Sequence, residues 1–460
     1  MPIKQPVKSY SNNTSLRMMV LSMAMVAMSL LMTACSVNRQ QNTTPSLPIT
    51  EPYQTEGTPA PQATVSPEVS VPPSESPLEG GSSEEEAEKL MATLTLEEKI
   101  GQMFFITSRR DKKGNLQLNM DDDLKRTIEQ FKPGGFIFFT ENLESIDQTV
   151  TFIEDLQKSS TIPLFMGIDE EGGVVTRLNK APLLHSTVMP TPFDIGRTNN
   201  TRYAYEAAFA ISEEIKSLGF NLNFAPVADI FTNPKNTVIG KRAYASEAEL
   251  AAKMVEWAVK GSRDCGIIPV IKHFPGHGDT SQDSHTGSAV VEKSLDQLKS
   301  TEFIPFKAGI EAGAGMVMTA HVLAPLINDN NLPATLSKPI LNILREDLGF
   351  DGVIITDGLE MNAISAFYPE DEAVVLAVEA GVDILLLPND LESAYSAVLN
   401  AVRNGRLTEQ RIDESVRRIL TLKYEWLINA PPLGSLNPEN TLGSEEHKAL
   451  ADSIRKDSSP

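Results

Sequence analysis

Cysteine is nearly absent from this 460-residue chain, which contains only Cys35 and Cys265. With so few thiols no disulfide framework is possible, and the cysteine clusters of zinc sites are missing. Positive charge is also scarce, because 40 lysine and arginine residues face 61 acidic ones and leave a formal net charge of −21. The composition therefore excludes a disulfide-stapled scaffold, and we expect no nucleic-acid partner.

Two common sequence signatures are missing as well. No GxGxxG follows the first predicted strand, which argues against a dinucleotide-binding fold. No GxSxG elbow is present, so the sequence does not indicate a serine nucleophile of that kind. Candidate catalytic groups must therefore be sought among other residue types.

The N-terminus has the pattern of an export signal that ends in a lipidated cysteine. Three basic residues precede a 17-residue apolar run (18–34), and Cys35 follows the small residues Thr33 and Ala34. This pattern is typical of a bacterial lipoprotein signal peptide, here residues 1–35, with Cys35 as the lipidated residue. The alternative is an uncleaved membrane anchor, since 17 residues are close to the lower limit for a span. We expect a lipid anchor in the membrane, at the extracellular face of the bacterial cell membrane or on the periplasmic side of a two-membrane envelope.

Residues 36–82 have the composition of a linker. Nine prolines lie there among Ser, Thr, Gln and Glu, with almost no aromatic residue. Such a segment cannot bury enough apolar area to offset its chain entropy, so it is predicted to be disordered. The predicted globular domain spans 83–430, and a C-terminal tail occupies 431–460. The tail is expected to be too short for a second domain, so the first domain should form the site alone.

Eight short apolar segments alternate with amphipathic helical segments in the globular region. This alternation predicts a parallel sheet covered by helices. Eight such strands in about 350 residues predict an α/β protein with a (β/α)₈ TIM-type barrel. A doubly wound open sheet is the alternative. The predicted strands lie at 101–108, 134–140, 163–169, 220–229, 266–274, 315–322, 351–357 and 382–388.

Polar side chains stand at the ends of several predicted strands. Asp169 ends the third strand, Lys272 and His273 end the fifth, His321 ends the sixth and Asp357 ends the seventh. A single carboxylate at such a position is more often a turn residue. In a (β/α)₈ barrel, however, the carboxyl-terminal strand ends form one face and carry the functional residues. We therefore expect these side chains to converge on one site.

The run KHFPGHGDTSQDSH (272–285) concentrates titratable groups after the fifth strand. His273 and His277 are four residues apart, as in a helical zinc pair. Pro275 and Gly276 lie between them, however, and exclude the helix that would align the two rings. We therefore expect no metal and no cofactor, with a metal site kept as the alternative.

An acid/base site without metal explains the same run better. Asp283 and His285 are two residues apart, so in an extended loop their side chains point the same way. A carboxylate beside an imidazole fixes its tautomer and supports its positive charge, which suits a general acid/base near neutral pH. Asp357 can supply a carboxylate nucleophile, and this combination is glycosidase chemistry.

Five motifs occur in order between about Leu94 and Leu427: GIDEEGGVVTRL (167–178), FNLNFAPVADI (220–230), VIGKRAYAS (238–246), KHFPGHGDTSQDSH (272–285) and GFDGVIITDGLEM (349–361). Together they make this stretch resemble glycoside hydrolase family 3, in its single-barrel β-N-acetylglucosaminidase branch. The resemblance implies retaining exo-hydrolysis of terminal β-linked N-acetylglucosamine through a glycosyl-aspartate intermediate. The predicted anchor and linker place the enzyme where cell-wall muropeptides or chitooligosaccharides occur, and we expect these as substrates. A β-glucosidase, a phosphorylase of the same family and a non-catalytic wall-binding barrel are the alternatives.

The resemblance also implies roles for individual residues. Asp357 matches the nucleophile, His285 the acid/base, and Asp283 the partner of that histidine. Glu170 departs from the family pattern, since glutamine is common at this position. The implied partner is a carbohydrate, and we expect a monomer. The residues that match those holding the terminal N-acetylglucosamine are Asp169, Arg177, Arg242, Lys272 and His273.

Overall fold

The structure, a computed structural model, describes residues 81–280, 289–328, 331–429 and 436–459. Each of the eight predicted strand segments contains a strand of the central sheet. The strands are, in chain order, β1 (Phe104–Ile106), β2 (Gly135–Phe138), β3 (Phe165–Ile168), β4 (Leu222–Asn223), β5 (Ile268–Phe274), β6 (Ala289–Val290), β7 (Met316–Thr319), β8 (Val322–Leu323), β9 (Val353–Thr356) and β10 (Leu385–Leu386).

Eight of these strands form a nearly closed parallel barrel. Their order is β10-β1-β2-β3-β4-β5-β7-β9, while β6 and β8 pair with each other outside it. The ring closes between the first and last strands of that order, where Ile355 pairs in parallel with Ile384. The N–H of Asp383 also donates to the carbonyl oxygen of Ile354 at 2.8 Å. The (β/α)₈ prediction is confirmed, and the open-sheet alternative is wrong.

Helices follow most strands and cover the outside of the barrel. Two π-helical turns, Ile343–Asp347 and Tyr424–Ile428, continue the tenth and fourteenth helices. The α-helices are α1 (Ser83–Met91), α2 (Leu96–Gln102), α3 (Asp122–Phe131), α4 (Ile146–Lys158), α5 (Pro192–Arg197), α6 (Thr201–Ser217), α7 (Ala248–Cys265), α8 (Leu295–Ser300), α9 (Phe303–Glu311), α10 (Lys338–Asn342), α11 (Asn362–Ser365), α12 (Glu370–Ala380), α13 (Leu391–Arg403), α14 (Glu409–Lys423), α15 (Pro438–Thr441) and α16 (Glu445–Asp457).

The predicted lipid anchor lies in the N-terminal part of the chain, which the structure does not describe. Residues 1–35, Cys35 and the linker up to residue 80 lie outside the described residues. Among the residues that the structure does describe, no helix has the length and apolar character needed to cross a membrane. The signal peptide and its lipidation therefore stay predictions.

Large and small side chains alternate inside the barrel. The buried rings of Phe105 and Phe224 lie with their centroids 5.5 Å apart. Glycines on β2 and β3 make room for them: a Cβ on Gly135 would lie 2.6 Å from the Phe105 ring, and one on Gly167 would lie 2.7 Å from that of Phe224. This packing fills the barrel, as in other (β/α)₈ cores, and leaves the strand ends as the place for polar chemistry.

Helices α6 and α7 pack closely because small residues line their contact. Ala204, Ala207 and Ala210 are buried on one side of α6. On α7, a Cβ on Gly261 would lie 2.3 Å from the carbonyl oxygen of Tyr205, so only glycine allows this approach. This close packing fixes the position of α6, against which the C-terminal helices also pack.

The described part of the C-terminal segment, 436–459, is mostly helical and belongs to the same compact unit as the barrel. Its helices α15 and α16 pack on α6. The hydroxyl of Tyr203, on α6, donates to Asp457 Oδ2 at 2.6 Å. The segment that the sequence predicted to be a tail is therefore, over residues 436–459, folded against the barrel domain.

Candidate active site

A cavity of about 680 Å³ opens at the carboxyl-terminal ends of the barrel strands. Every sequence-predicted catalytic or binding residue that the structure describes lines it. The ends of the third, fifth and seventh predicted strands therefore converge on one site. The predicted residues in its lining are Asp169, Arg177, Arg242, Lys272, His273 and Asp357.

Asp169 follows β3 and is held between two cations. Its Oδ1 accepts a hydrogen bond from Lys272 Nζ at 2.8 Å, and its Oδ2 accepts one from Arg177 Nη2 at 3.0 Å. Burial alone would raise the pKa of the Asp169 carboxyl, but Lys272 and Arg177 hold the pKa well below its usual range. Asp169 is therefore ionised and can accept charge-assisted hydrogen bonds from ligand hydroxyls.

Glu171 is a second buried carboxylate, and no sequence pattern singled it out. Arg242 binds both of its oxygens, from Nε at 2.9 Å and from Nη2 at 2.8 Å, and Lys272 Nζ lies 2.6 Å from Oε1. Burial would raise the pKa of Glu171, but Arg242 and Lys272 lower it to about 2. Glu171 thus stays ionised behind the cavity and fixes the two cations that face into it.

Glu170 holds the start of the same loop in place. Its Oε2 accepts from the backbone N–H groups of Arg177 at 2.8 Å and Leu178 at 3.1 Å. The side chain of Asn223 binds the Glu170 backbone on both its N–H and its carbonyl oxygen. Burial raises the pKa of Glu170 to about 7. A glutamine could accept the same two backbone bonds, so this departure from the family pattern keeps the support for Arg177.

Lys272 and His273 both line the cavity, although neighbouring residues of a strand usually point to opposite faces. The peptide bond between them is cis. Asp229, a second residue that sequence reasoning missed, lies 2.7 Å from His273 Nδ1 through its Oδ2 and also accepts from the N–H of His277 at 2.6 Å. Burial would raise the pKa of Asp229, but His273 and His277 lower it. An ionised Asp229 therefore orients the His273 ring and the turn after it.

Two glycines shape that turn. Gly276 has φ 121°, which glycine adopts far more readily than other residues. A Cβ on Gly278 would lie 1.8 Å from the carbonyl oxygen of Ile230. The turn brings His277 into the cavity lining, where burial lowers the pKa of its imidazole.

The metal alternative has no support from the arrangement of these rings. The centroids of His273 and His277 lie 6.1 Å apart, with their planes at 70°. His277 Nδ1 lies 2.8 Å from Thr280 Oγ1, while Asp229 binds the other ring. Within the described ranges, no group of three or more His, Cys, Asp or Glu side chains is arranged to hold a metal ion.

Asp283 and His285 fall in 281–288, outside the described residues. The segment runs from the turn after β5 to β6, and β6 pairs with β8, which follows β7. The described residues that flank this segment, Thr280 and Ala289, thus lie on the carboxyl-terminal side of the barrel. The His–Asp dyad stays a prediction.

Asp357 follows β9 directly, and its backbone fixes its place in the cavity wall. Its N–H donates to the carbonyl oxygen of Thr319 at 3.1 Å, and its Oδ1 accepts from the N–H of Gly358 at 2.8 Å. Burial would raise the pKa of Asp357, but His273, His321, the Gly358 N–H and Lys272 together lower it. The carboxylate is therefore ionised at neutral pH and able to act as a nucleophile.

His321 supports this position from behind. The side chain is buried, its Nε2 lies 3.0 Å from the carbonyl oxygen of Gly358, and its Nδ1 lies 2.8 Å from Thr335 Oγ1. The residue was expected in the site as a strand-end histidine. His321 does not line the cavity. It contacts the carbonyl oxygen of Gly358, the residue after Asp357.

A further wall of the cavity is formed by Arg109, Phe139 and Glu360, to which the sequence analysis gave no role. Arg109 binds Glu360 with two hydrogen bonds of 2.9 and 2.5 Å, and its guanidinium lies 4.0 Å from the centroid of the Phe139 ring. Arg177 Cζ lies 5.4 Å from the same ring. Arg109, Phe139 and Glu360 lie at or just after the ends of the first, second and seventh predicted strands, so strand-end position was the signal that could have found them.

Comparisons with known proteins agree with this geometry. Residues 95–422 match the glycosyl hydrolase family 3 N terminal domain. The chain is 34% identical over 357 residues to beta-hexosaminidase A of Pseudoalteromonas piscicida, a match that covers 71% of this chain and 59% of that protein. The chain thus spans less than two thirds of that relative.

Solved structures of similar proteins support the same family assignment. A family 3 β-N-acetylglucosaminidase from Paenibacillus sp. str. FPU-7 is similar with a TM-score of 0.74 and 41% identity, over 80% of this chain and 69% of that one. The beta-glucoside phosphorylase BglX bound to 2FGlc is similar with a TM-score of 0.72 and 27% identity, over 81% of this chain and 66% of that one. Because the family match covers well over half of the chain, this protein belongs to glycosyl hydrolase family 3.

Proposed function

We propose that this protein is a retaining exo-β-N-acetylglucosaminidase. The observation that carries the proposal is one cavity in which ionised Asp357 lies together with the Asp169, Arg177 and Lys272 cluster. The similar proteins named beta-hexosaminidase A and β-N-acetylglucosaminidase support this substrate class. The cluster offers charged acceptors and donors, which suit the hydroxyl groups of a terminal sugar.

In the first step, Asp357 attacks the anomeric carbon of the terminal N-acetylglucosamine. A bond from the carboxylate oxygen to that carbon forms while the bond to the leaving oxygen breaks, and His285 donates its proton to the leaving oxygen. Asp283 orients the imidazole and supports its charge before the transfer. The leaving group departs as an alcohol, and the sugar remains on Asp357 as an ester.

In the second step, water releases the sugar. His285 takes a proton from the water, whose oxygen attacks the anomeric carbon while the ester bond to Asp357 breaks. Two inversions at one carbon restore the β configuration. The reaction needs no cofactor, and its groups return to their starting protonation states.

Phosphorolysis is the second candidate, and the similarity to BglX, described as a beta-glucoside phosphorylase, is the observation that favours it. Phosphate would then replace water in the second step. A neutral imidazole base repels this anion less than a carboxylate base would. A β-glucosidase is the corresponding alternative for the sugar.

Sugar selectivity tests the proposal directly. Turnover of a chromogenic N-acetylglucosaminide should exceed that of the glucoside by at least about 10²-fold in kcat/KM, the scale on which buried polar contacts discriminate substrates. Comparable rates would favour a β-glucosidase. A sugar 1-phosphate formed in phosphate buffer would show a phosphorylase. Binding of N-acetylglucosamine without turnover of either substrate would favour a non-catalytic wall-binding barrel.

We also propose that Cys35 anchors the enzyme to the outer face of the bacterial membrane, where muropeptides or chitooligosaccharides are its substrates. Cys35→Ala should move the protein from the membrane to the medium or leave it as an unprocessed precursor. Cys265→Ala is the matched control, since this thiol is buried in the barrel domain. Equal incorporation of labelled palmitate into wild type and Cys35→Ala would contradict the anchor.

A further inference from the structure

The loop after β3 has two parts that contact each other. The binding turn (171–179) carries Glu171 and Arg177, and the support segment (185–191) lies between it and the C-terminal helices. The N–H of Gly173 in the binding turn donates to the carbonyl oxygen of Met189 at 3.0 Å. The side chain of Asn179 donates to the carbonyl oxygen of Thr187 at 3.2 Å. A shift of the support segment would therefore move the binding turn.

A buried carboxylate on α6 ties the support segment to the C-terminal helices. Glu214 is only 4% exposed. Its Oε2 accepts from the N–H of Thr187 at 3.1 Å, and its Oε1 accepts from the N–H of Gly443 at 3.0 Å. His447 Nδ1 lies 3.1 Å from the same Oε1. One side chain thus satisfies donors from two segments that are far apart in the sequence.

His447, on α16, makes this tie charge-assisted. Its Nδ1 lies 3.1 Å from Glu214 and its Nε2 lies 3.1 Å from Glu213. Because both ring nitrogens face carboxylate oxygens, the arrangement favours the doubly protonated, cationic form of the ring. Burial would lower the pKa of His447, but the two glutamates raise it. Charge-assisted hydrogen bonds are the stronger kind, so the contact holds α16 firmly against α6.

We propose that Glu214 is a positioning residue for substrate binding: together with His447 it fixes the support segment and, through it, the binding turn and Arg177. The inference rests on the proposed glycosidase function, in which Arg177 helps to hold the terminal sugar. Helix α16 lies beyond residues 95–422, the part of the chain that matches the family domain. The C-terminal segment of this chain thus supplies a support that the matched domain does not include.

Glu214→Gln in the full chain should raise KM for the chromogenic N-acetylglucosaminide about tenfold and change kcat less than about twofold, because ground-state and transition-state binding weaken together. The amide keeps the shape, but it turns one acceptor into a donor that faces backbone N–H groups, and it removes the charge that binds His447. Glu213→Gln is the matched control. Among the described residues, the Glu213 side chain makes one hydrogen bond, which goes to His447 and not to the support segment. The KM of this variant should therefore stay within about twofold of wild type.

A second readout does not depend on activity. Hydrogen–deuterium exchange of peptides that cover 171–179 should be faster in Glu214→Gln than in Glu213→Gln or wild type. If Glu214→Gln does not fold, His447→Asn gives the milder change, with KM raised about threefold and exchange of the same peptides faster. If the wild type cleaves no N-acetylglucosaminide, the proposed function fails, and exchange alone then decides the positioning role. Unchanged exchange of the binding turn in Glu214→Gln, or an unchanged KM in folded, active Glu214→Gln, would overturn the positioning role.

Discussion

Replacing Asp357 by asparagine should lower kcat/KM for an N-acetylglucosaminide by about 10⁴-fold or more, the scale on which enzymes lose activity without their nucleophile. The asparagine oxygen can still accept from the N–H of Gly358, which lies 2.8 Å from Oδ1 in the native protein. The end of β9 should therefore keep its conformation, and the loss should appear in the chemical step. An amide cannot form the ester to the sugar that the carboxylate forms.

Glu360 offers a matched control in the same cavity. Its carboxylate is tied to Arg109 by two hydrogen bonds, so it is held in an ion pair instead of being presented to the sugar. Glu360→Gln should cost less than about tenfold in kcat/KM. Trapping with a fluorinated slow substrate, followed by fragmentation of the labelled peptide, should place the label on Asp357 itself. A label on Asp169 or Glu360, or a fully active Asp357→Asn, would show that the nucleophile is assigned wrongly.

The main side chains of this cavity could be predicted from the sequence because the barrel sets their positions. Asp169 and Asp357 directly follow β3 and β9, and Lys272 is close to the end of β5. Parallel strands in a ring place all such ends on one face, so strand-end position is enough to bring these residues together. The resemblance to the family then supplied their roles.

The residues behind the cavity could not be predicted in the same way. Glu171 acts through its bonds to Arg242, which lies between β4 and α7, and to Lys272, which lies on β5. Local sequence contains no signal for such a pairing. Asp229 did end the predicted fourth strand, but the described strand stops at Asn223. Tertiary contacts decided both outcomes.

The C-terminal helices show the same limit. Residues 431–460 were expected to be a tail because they are too few for a domain. Helix α16 is nevertheless fixed by the contact of His447 with Glu214, which joins residues 233 positions apart. A charge pair over such a distance leaves no periodic pattern in the sequence, so only the folded chain shows it.

The acid/base dyad gives the second large expected effect. His285→Ala should lose about 10²–10⁴-fold in turnover of a natural disaccharide, the typical contribution of a positioned acid/base. Asp283→Asn should show the same pattern with a smaller loss, because the imidazole remains but is less well held. Steady-state kinetics of both variants on one N-acetylglucosamine disaccharide would measure the difference.

The dependence of His285→Ala activity on the acidity of the leaving group distinguishes loss of the acid/base from loss of folding. A dinitrophenyl glycoside has an acidic leaving group that needs little protonation, so the first step of His285→Ala should be nearly normal. The second step still needs a base, and the variant should therefore stall at the covalent intermediate with Asp357. Pre-steady-state measurement should show a burst of dinitrophenol followed by slow turnover, whereas a misfolded variant would show no burst.

Azide provides the final check on which step needs the base. A small anion requires no deprotonation, so azide should attack the stalled intermediate, restore turnover of the dinitrophenyl substrate by His285→Ala and yield a β-glycosyl azide. The wild type should gain little, because its own base already activates water. A metal-dependent site would behave differently: EDTA would inactivate the wild type, and the acidity of the leaving group would not rescue the variant. Inactivation by EDTA, or unchanged disaccharide turnover in His285→Ala, would rule out the dyad as the acid/base.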